Sequence, residues 1–417
     1  MDATRGVPLP SPGYGAWADR GARGKRYSLQ TVLVLAVAAR IAGYRGVTAF
    51  AQFAALLDQD QRQAVGCFFS PSKQCYTTPN TTTFHNIMAA LPPDTLDEAV
   101  GAWARQLSEQ AAEDRRKQVL QQQTDAAEPP SAQARASTLG PFDRPPVCMD
   151  GKDVRGASKQ TPEGRRMLVA GVEHGTGLVL GQLEIDSKTN EIPALRELAP
   201  KLKLAGRIAT YDPLHCQHET ARVLLEECQA HYVVTGVKDN QPTIARELRE
   251  MDFTHCPMVE TYDKEHGRRE RRWYWIKDLS GPQCKGKANL YGRKQAIRIK
   301  RERRKLRRGK VVKTSVEVSY ALTSLSPAEA SPEQLADLIR NHRHIENRLH
   351  YVRDFTYDED RCRVYVRDLP RNLACLSNAA ISIIRCQTHF RYVPVANRHF
   401  AARQQEVLDL LMQSPNP

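Results

Sequence analysis

Beyond Val147 the chain alternates short apolar runs with amphipathic ones in an order that few folds satisfy. "PVCMD" is an apolar run that ends at Asp150, and "RRMLVAGVEH" and "GLVLGQLEID" follow as two strands joined by the turn Gly175–Thr176–Gly177. "EIPALRELAPKLK" has helical spacing, and "RIATYD" is a strand ending at Asp212 with Pro213 stopping it. "CQHETARVLLEEC" is a helix and "HYVVTGV" a further strand. The order β-β-β-α-β-α-β demands a mixed sheet with helices packed on it, an α/β core.

The flanking segments divide by composition. Residues 1–25 are rich in Pro and Gly and read as a flexible N-terminus. Residues 26–106 carry four helical patterns, with Ser28 and Thr95 as expected N-caps and Phe50, Phe53, Phe84 and Trp103 as an expected core, which makes a small all-α domain. Residues 107–146 turn to Gln, Ala and charge and then to Pro, and read as a partly helical linker. The α/β core is expected over 147–254 and 326–390. A polar, β-rich insertion at 255–325 interrupts it, closing on the alternating "KTSVEVSYALTSL". Helical signals return at "SPEQLADLIRNHRHIENRLHYVRD", with Ser331 as N-cap, Pro332 at the first position and Glu333 in the first turn. A last helix, "NLACLSNAAISIIRCQ", leads to an expected C-terminal tail at 391–417.

The 417 residues carry a formal net charge of +14 and a pI near 9.4. A balance this basic points to a polyanionic partner, nucleic acid or an acidic membrane surface, although a merely soluble basic protein would also show it. A membrane span is not expected, since the best apolar run, "TVLVLAVAARIAG", is too short and contains Arg40. "MDATRGVPLPSPGYG" has no apolar stretch of the secretory type, and the ten cysteines form no CxxC pair. Reduced thiols in a cytoplasmic protein are the reading.

The chemistry centres on three carboxylates. Asp150 and Asp212 each end a short apolar strand, where side chains project into the crevice beyond an α/β sheet. Either alone reads more readily as a turn or cap residue. Glu346 is the only acid in "IRNHRHIENRLHYVR", among Arg340, Arg343, Arg348, Arg353, His342, His344 and His350. With 3.6 residues per turn, Ile339 and Leu335 fall in line with it, which places Glu346 on the rim of an inward face. The plain alternative is a buried Glu paired with a nearby Arg. Three clustered carboxylates need a compensating cation, and Mg²⁺ prefers a few carboxylates plus waters. Two such ions about 3.5–4 Å apart serve in-line phosphodiester chemistry.

Six stretches then carry a resemblance: "MDGKDVRG", "SKTNEIPAL", "YDPLHCQ", "VKDNQP", "HGRRERR" and "IRNHRHIENRLHYVRD". As an ordered set they resemble the successive motifs of the H-repeat-associated insertion-sequence transposases, bacterial DDE transposases with an RNase H-like core. "RGKRYSLQTVLVLAVAARIAG" resembles the helical domain that precedes that core. The resemblance implies an RNase H-like mixed sheet with a β-rich insertion behind a small all-α domain. It implies Asp150, Asp212 and Glu346 as ligands of catalytic Mg²⁺, with Mn²⁺ substituting. It implies cleavage of insertion-sequence ends and strand transfer into target DNA. Its implied partners are double-stranded DNA and a second copy of the chain on that DNA, with no membrane and a cytoplasmic, nucleoid-associated location. Arg353 and His342 fall where related transposases place DNA-contacting residues. The chain departs from the pattern at Pro213–Leu214–His215, at Asp239 and in its long linker.

Further DNA contacts are expected from Lys152, Lys238, Asn240 and Arg268, which lie in these motifs. "RKQAIRIKRERRKLRRGK" adds Arg298, Lys300, Arg301, Arg303 and Arg304, with Glu302 its only acid. Such a run contacts phosphates without reading sequence, although a solvated loop is the bland alternative. Trp273 and Trp275 read as core of the insertion rather than as stacking platforms. His215 reads as hydrogen-bonded or exposed rather than as a ligand. Two rival functions stay open: a domesticated transposase-derived DNA-binding protein, and an RNase H-like nuclease without strand transfer.

Overall fold

The computed structural model describes residues 26–125, 144–158, 166–185, 190–238, 240–265, 267–308 and 310–412. The expected flexible N-terminus, the Pro-rich part of the expected linker and Asp239 lie outside these residues. The helices, in chain order, are α1 (Leu29–Ile41), α2 (Val47–Leu56), α3 (Gln59–Ala64), α4 (Thr81–Ala90), α5 (Pro93–Asp125), α6 (Arg155–Ser158), α7 (Glu191–Lys201), α8 (His218–Arg222), α9 (Pro242–Glu250), α10 (Pro332–Asn341), α11 (Leu369–Gln387), α12 (Val393–Ala402) and α13 (Gln404–Met412). The strands are β1 (Phe68–Ser70), β2 (Cys75–Thr77), β3 (Val147–Asp153), β4 (Met167–Glu173), β5 (Val179–Ile185), β6 (Ile208–Tyr211), β7 (His231–Val234), β8 (Met258–Glu265), β9 (Arg268–Asp278), β10 (Gln295–Arg307) and β11 (Lys310–Thr323).

The mixed sheet has nine strands in the order β5-β4-β3-β6-β7-β11-β10-β9-β8. Its first five follow the RNase H-like order, with β3, β6 and β7 parallel and β4 antiparallel to β5. The insertion is β-rich, as expected, and it continues the same sheet. β11 joins β7 through Leu322–Val234 and Thr323–Val233, and β10, β9 and β8 follow as antiparallel neighbours.

The chain divides into two compact units. One comprises Met1–Ser108, Gly151–Asn190 and Ile345–Pro417; the other comprises Glu109–Asp150 and Glu191–His344. In the first unit α1 is apolar on nearly every side and is buried from Thr31 to Ile41. Ser28 caps it by accepting from the Thr31 amide. Phe50, Phe53 and Phe84 are fully buried and Trp103 nearly so, as their helical spacing predicts. α11 packs against α1, α4 and β5. A buried polar chain runs beside it: Arg371 donates to Asp97 at 2.8 Å, Gln182 to Asp97 at 2.7 Å, and Asn378 to Gln182 at 2.7 Å. The N-terminal helices therefore share one core with α11 and β5, so the boundary expected after residue 106 does not mark a separate body.

Three further expectations are corrected. α5 runs unbroken from Pro93 to Asp125, so the expected linker is helical in its first part, and Thr95 lies inside the helix rather than capping it. The expected tail forms α12 and α13, which bury Val393, Phe400, Val407, Leu408 and Leu411. The N-terminal region also contains the β1–β2 hairpin, which sequence reading took as wholly helical.

In the second unit the inward face of β9, β10 and β11 supplies Tyr274, Ile276, Ile297, Ile299 and Ala321. These pack with Ile208, Val233 and the Leu335, Ala336 and Leu338 face of α10. Ser331 and Gln334 form a reciprocal capping box that fixes where α10 starts, with Pro332 at its first position. Among the described residues no helix is long and apolar enough to cross a membrane.

Candidate active site

β3 and β6 are parallel neighbours whose register pairs Met149 with Tyr211. Asp150 lies inside β3, which runs on to Asp153 rather than ending at Asp150 as expected, and Asp212 follows the last residue of β6, so each comes directly after a paired position on neighbouring strands. Asp212 Oδ1 accepts from the Leu214 amide at 3.0 Å and so caps the short 3₁₀ turn Pro213–His215. Asn240 Nδ2 donates to the Pro213 carbonyl at 2.6 Å and ties the next loop to this turn.

Glu346 does not continue α10 as a regular helix. The chain turns at His342–Arg343 and rewinds as π-helix over Glu346–His350 and again over Val352–Thr356. The wider winding breaks the 3.6-residue spacing on which its inward placement was argued. The Glu346 side chain is 66% exposed, with His350 Nδ1 at 3.1 Å from its Oε2. This is neither the rim of a buried face nor a buried pair with arginine. The His350 hydrogen bond, with the Lys152 and Arg155 charges adding, holds its carboxyl below the usual range. Burial holds the His350 imidazole below its ordinary pKa. A neutral ring that donates from Nδ1 keeps a lone pair on Nε2.

Within the first unit Glu346 and His350 offer a carboxylate and an imidazole from one segment, 3.1 Å apart. A carboxylate and an imidazole are donors suited to a divalent cation. His350 was missed by sequence reasoning, although its spacing of four from Glu346 was a legible signal.

Several expected DNA contacts are held inside. Arg353 is fully buried and makes a two-pronged pair with Glu359, at 2.7 and 2.8 Å. It is therefore not placed to meet a phosphate in this conformation, because Glu359 already neutralises it. Lys152 is buried against Asp354. His342 Nδ1 lies 3.1 Å from Thr210 Oγ1. His215 is fully buried, with Nε2 at 3.8 Å from Glu191 and 4.0 Å from Asp212. Burial, outweighing the Asp212 charge, lowers its pKa to about 4, so it is neutral. Lys238, Asn240 and Arg268 are exposed.

The basic run is not a loop; it is strand β10. Alternation sends Arg301 and Arg303 to Glu270, at 2.7 and 3.1 Å, on one face. On the other, Arg298 lies over Trp275 and Lys300 over Trp273, at 5.2 and 5.4 Å from the ring centroids. Arg304 pairs with Glu302 at 2.6 Å and stays half exposed. Trp273 and Trp275 are half-buried on this outer face rather than in the core, since Arg272, Tyr274 and Ile276 take the inward positions.

The model described as "Transposase DDE domain" matches residues 141–383, more than half the chain. The chain belongs to the DDE transposase family. A second family model, described as "DDE_Tnp_1-associated", matches residues 19–104. Among curated relatives, this DDE transposase chain is 28% identical over 255 residues to "Putative protein YbfL" of Escherichia coli K12. It is 26% identical over 253 residues to "H repeat-associated putative transposase YhhI" of the same strain. Each alignment covers 58% of this chain and 64% of the relative, so the match spans less than two thirds of either relative's length. A piggyBac transposase synaptic complex with hairpin DNA overlays 96% of this chain and 79% of its own at 11% identity, with a TM-score of 0.36, too low to argue from. Membership of the family implies use of a divalent metal, which the Glu346 and His350 donors fit.

Proposed function

We propose that this DDE transposase cleaves the ends of an insertion sequence and transfers the freed strand into target DNA. In this reading Asp150, Asp212 and Glu346 are its metal-holding catalytic residues, with Mg²⁺ as the ion and Mn²⁺ substituting. The observation that carries the reading is the β3–β6 register, which sets Asp150 within β3 and Asp212 just past the end of β6 directly after a paired position, inside the matched DDE segment. Asp212 joins the group by turning its side chain off the Leu214 amide, with no change of strand. His350 orients the Glu346 carboxylate through its hydrogen bond and keeps it ionised.

When bound, the ions supply activation of the attacking oxygen and charge for the leaving oxygen of an in-line phosphoryl transfer. The chain itself contributes position and field. The exposed Lys238, Arg268 and Arg304, with Asn240, hold phosphates near the strand ends and along β10. Arg298 and Lys300 extend that positive surface on the outer face of β10, and Arg301 and Arg303 add charge on its other face, where Glu270 holds them. Arg353, Lys152 and His342 act from inside, bracing the segments that carry Glu346, Asp150 and Asp212. Joining two element ends in one complex calls for two copies of the chain on DNA, within a nucleoid-associated setting.

Labelled element-end DNA tests the reading. With Mg²⁺ or Mn²⁺ the protein should nick the end and join the 3′ strand to a target plasmid, and chelation should abolish both steps. Binding without cleavage would overturn the enzyme reading in favour of a transposase-derived DNA-binding protein. Cleavage without joining would favour a nuclease.

A further inference from the structure

Strand β11 is an exposed edge for most of its length. β10 pairs with it from Lys310 to Thr323, while β7 reaches only Leu322 and Thr323, and the Val237 amide bonds Tyr320 O at 2.6 Å. Among the described residues no strand lies against the other side of residues 310–319. Every residue from Lys310 to Val318 is exposed. Four of them are valines, Val311, Val312, Val316 and Val318, at 48, 55, 56 and 44% exposure. A free edge this long, β-branched and without proline is an open template for another strand.

The sequence of the edge identifies its occupant. A two-fold axis that pairs β11 with itself antiparallel stands perpendicular to the sheet and keeps each face on its own side. Opposed residues must then share parity, so the register must be centred on a residue. Centring on Ser315 sets Lys313 opposite Glu317 twice on one face, with Ser315 opposite itself. On the other face it sets Thr314 opposite Val316 twice, short of Val312, where a bulge against β10 interrupts the alternation. Centring on Lys313 or on Glu317 opposes like charges, and centring on Thr314 or Val316 pairs neither charge with an opposite one. Within its own hairpin Lys313 faces another lysine, Lys305. Glu317 keeps 68% exposure with Arg301 no nearer than 3.8 Å. A Glu317 from a second copy would relieve the lysine pair and complete its own partnership.

We propose that β11 is a self-complementary edge through which two copies of this chain pair antiparallel, centred on Ser315, extending the sheet across the two-fold. The pairing stands on the edge itself and is independent of any catalytic role. It brings the two β10 strands to about three strand spacings, roughly 14 Å, from each other, on either side of the paired edges.

Sedimentation of the full chain without DNA, at about 0.15 M salt and up to about 100 μM protein, is the test. The chain should dimerise. Glu317→Lys and Lys313→Glu should each weaken the dimer about tenfold, since two attractive pairs become repulsive in each case. The double exchange K313E/E317K should restore it. Ser315→Cys should give a reducible covalent dimer that Ser319→Cys does not, because Ser319 does not meet its own copy in this register. A chain that stays monomeric, a dimer indifferent to the single exchanges, or no rescue in the double variant would overturn the proposal. Loss of DNA binding in Lys313→Glu with a monomeric parent would mark the hairpin as a DNA arm instead.

Discussion

At the scale of single residues, Glu346 in the π-wound segment and Glu359 in the 3₁₀ turn after it have opposite surroundings. Glu346 is exposed and steered by His350, while Glu359 is buried and given over to Arg353. Removing one partner of a buried pair strands the other charge, so Glu359→Ala should cost roughly 3–5 kcal/mol in denaturant unfolding. His350→Phe removes the hydrogen bond that orients Glu346 and should lower the nicking rate while DNA affinity stays unchanged; a parallel loss of affinity would show a broader role. Asp212 was legible because strand ends and turn residues mark themselves in sequence, whereas Gly151 was misread as a stop and β3 runs on to Asp153. The burial of Arg353 was not, since nothing local distinguishes an arginine that meets a phosphate from one that meets Glu359 after the chain doubles back.

At the scale of elements, the alternation in "KTSVEVSYALTSL" and the β-β-β-α-β-α-β order carried most of the fold. The helix around Glu346 was misread because a 3.6-residue period was assumed where the backbone winds wider. The basic run was open to a loop reading because charge hides a strand's alternation when both faces are polar. Structure assigns its faces: Glu270 gathers Arg272, Arg301 and Arg303 beneath β9 and β10. Burial alone would raise the Glu270 pKa, but the Arg301 hydrogen bond and the Arg272 and Arg301 charges outweigh it and bring it to about 2. A carboxyl depressed on folding stabilises above its unfolded pKa and loses that contribution as pH falls through the folded one. Melting temperature should therefore drop more steeply between about pH 4.5 and 2 in the parent than in Glu270→Gln. Equal slopes would remove Glu270 from the acid response.

At the scale of the whole molecule, the net charge of +14 announced a polyanion but could not say which cations reach it. Many are internally paired, and the exposed ones include Lys238, Arg268 and Arg304. If DNA is the partner, Arg268→Ala and Arg304→Ala should each reduce the slope of log affinity against log salt by about one. Arg353→Ala should leave that slope unchanged and lower stability instead. The division into two units was illegible in sequence, since β3 and α5 each run through a boundary without a change of pattern. The central claim is that Asp150, Asp212 and Glu346 act as one unit, although Asp212 caps its own turn here. The nicking rate of element-end DNA in Mn²⁺ measures this most directly. Asp150→Ala, Asp212→Ala and Glu346→Ala should each lose at least about a thousandfold, with the double variants losing little more. Asp212→Ala within tenfold of the parent would contradict the account.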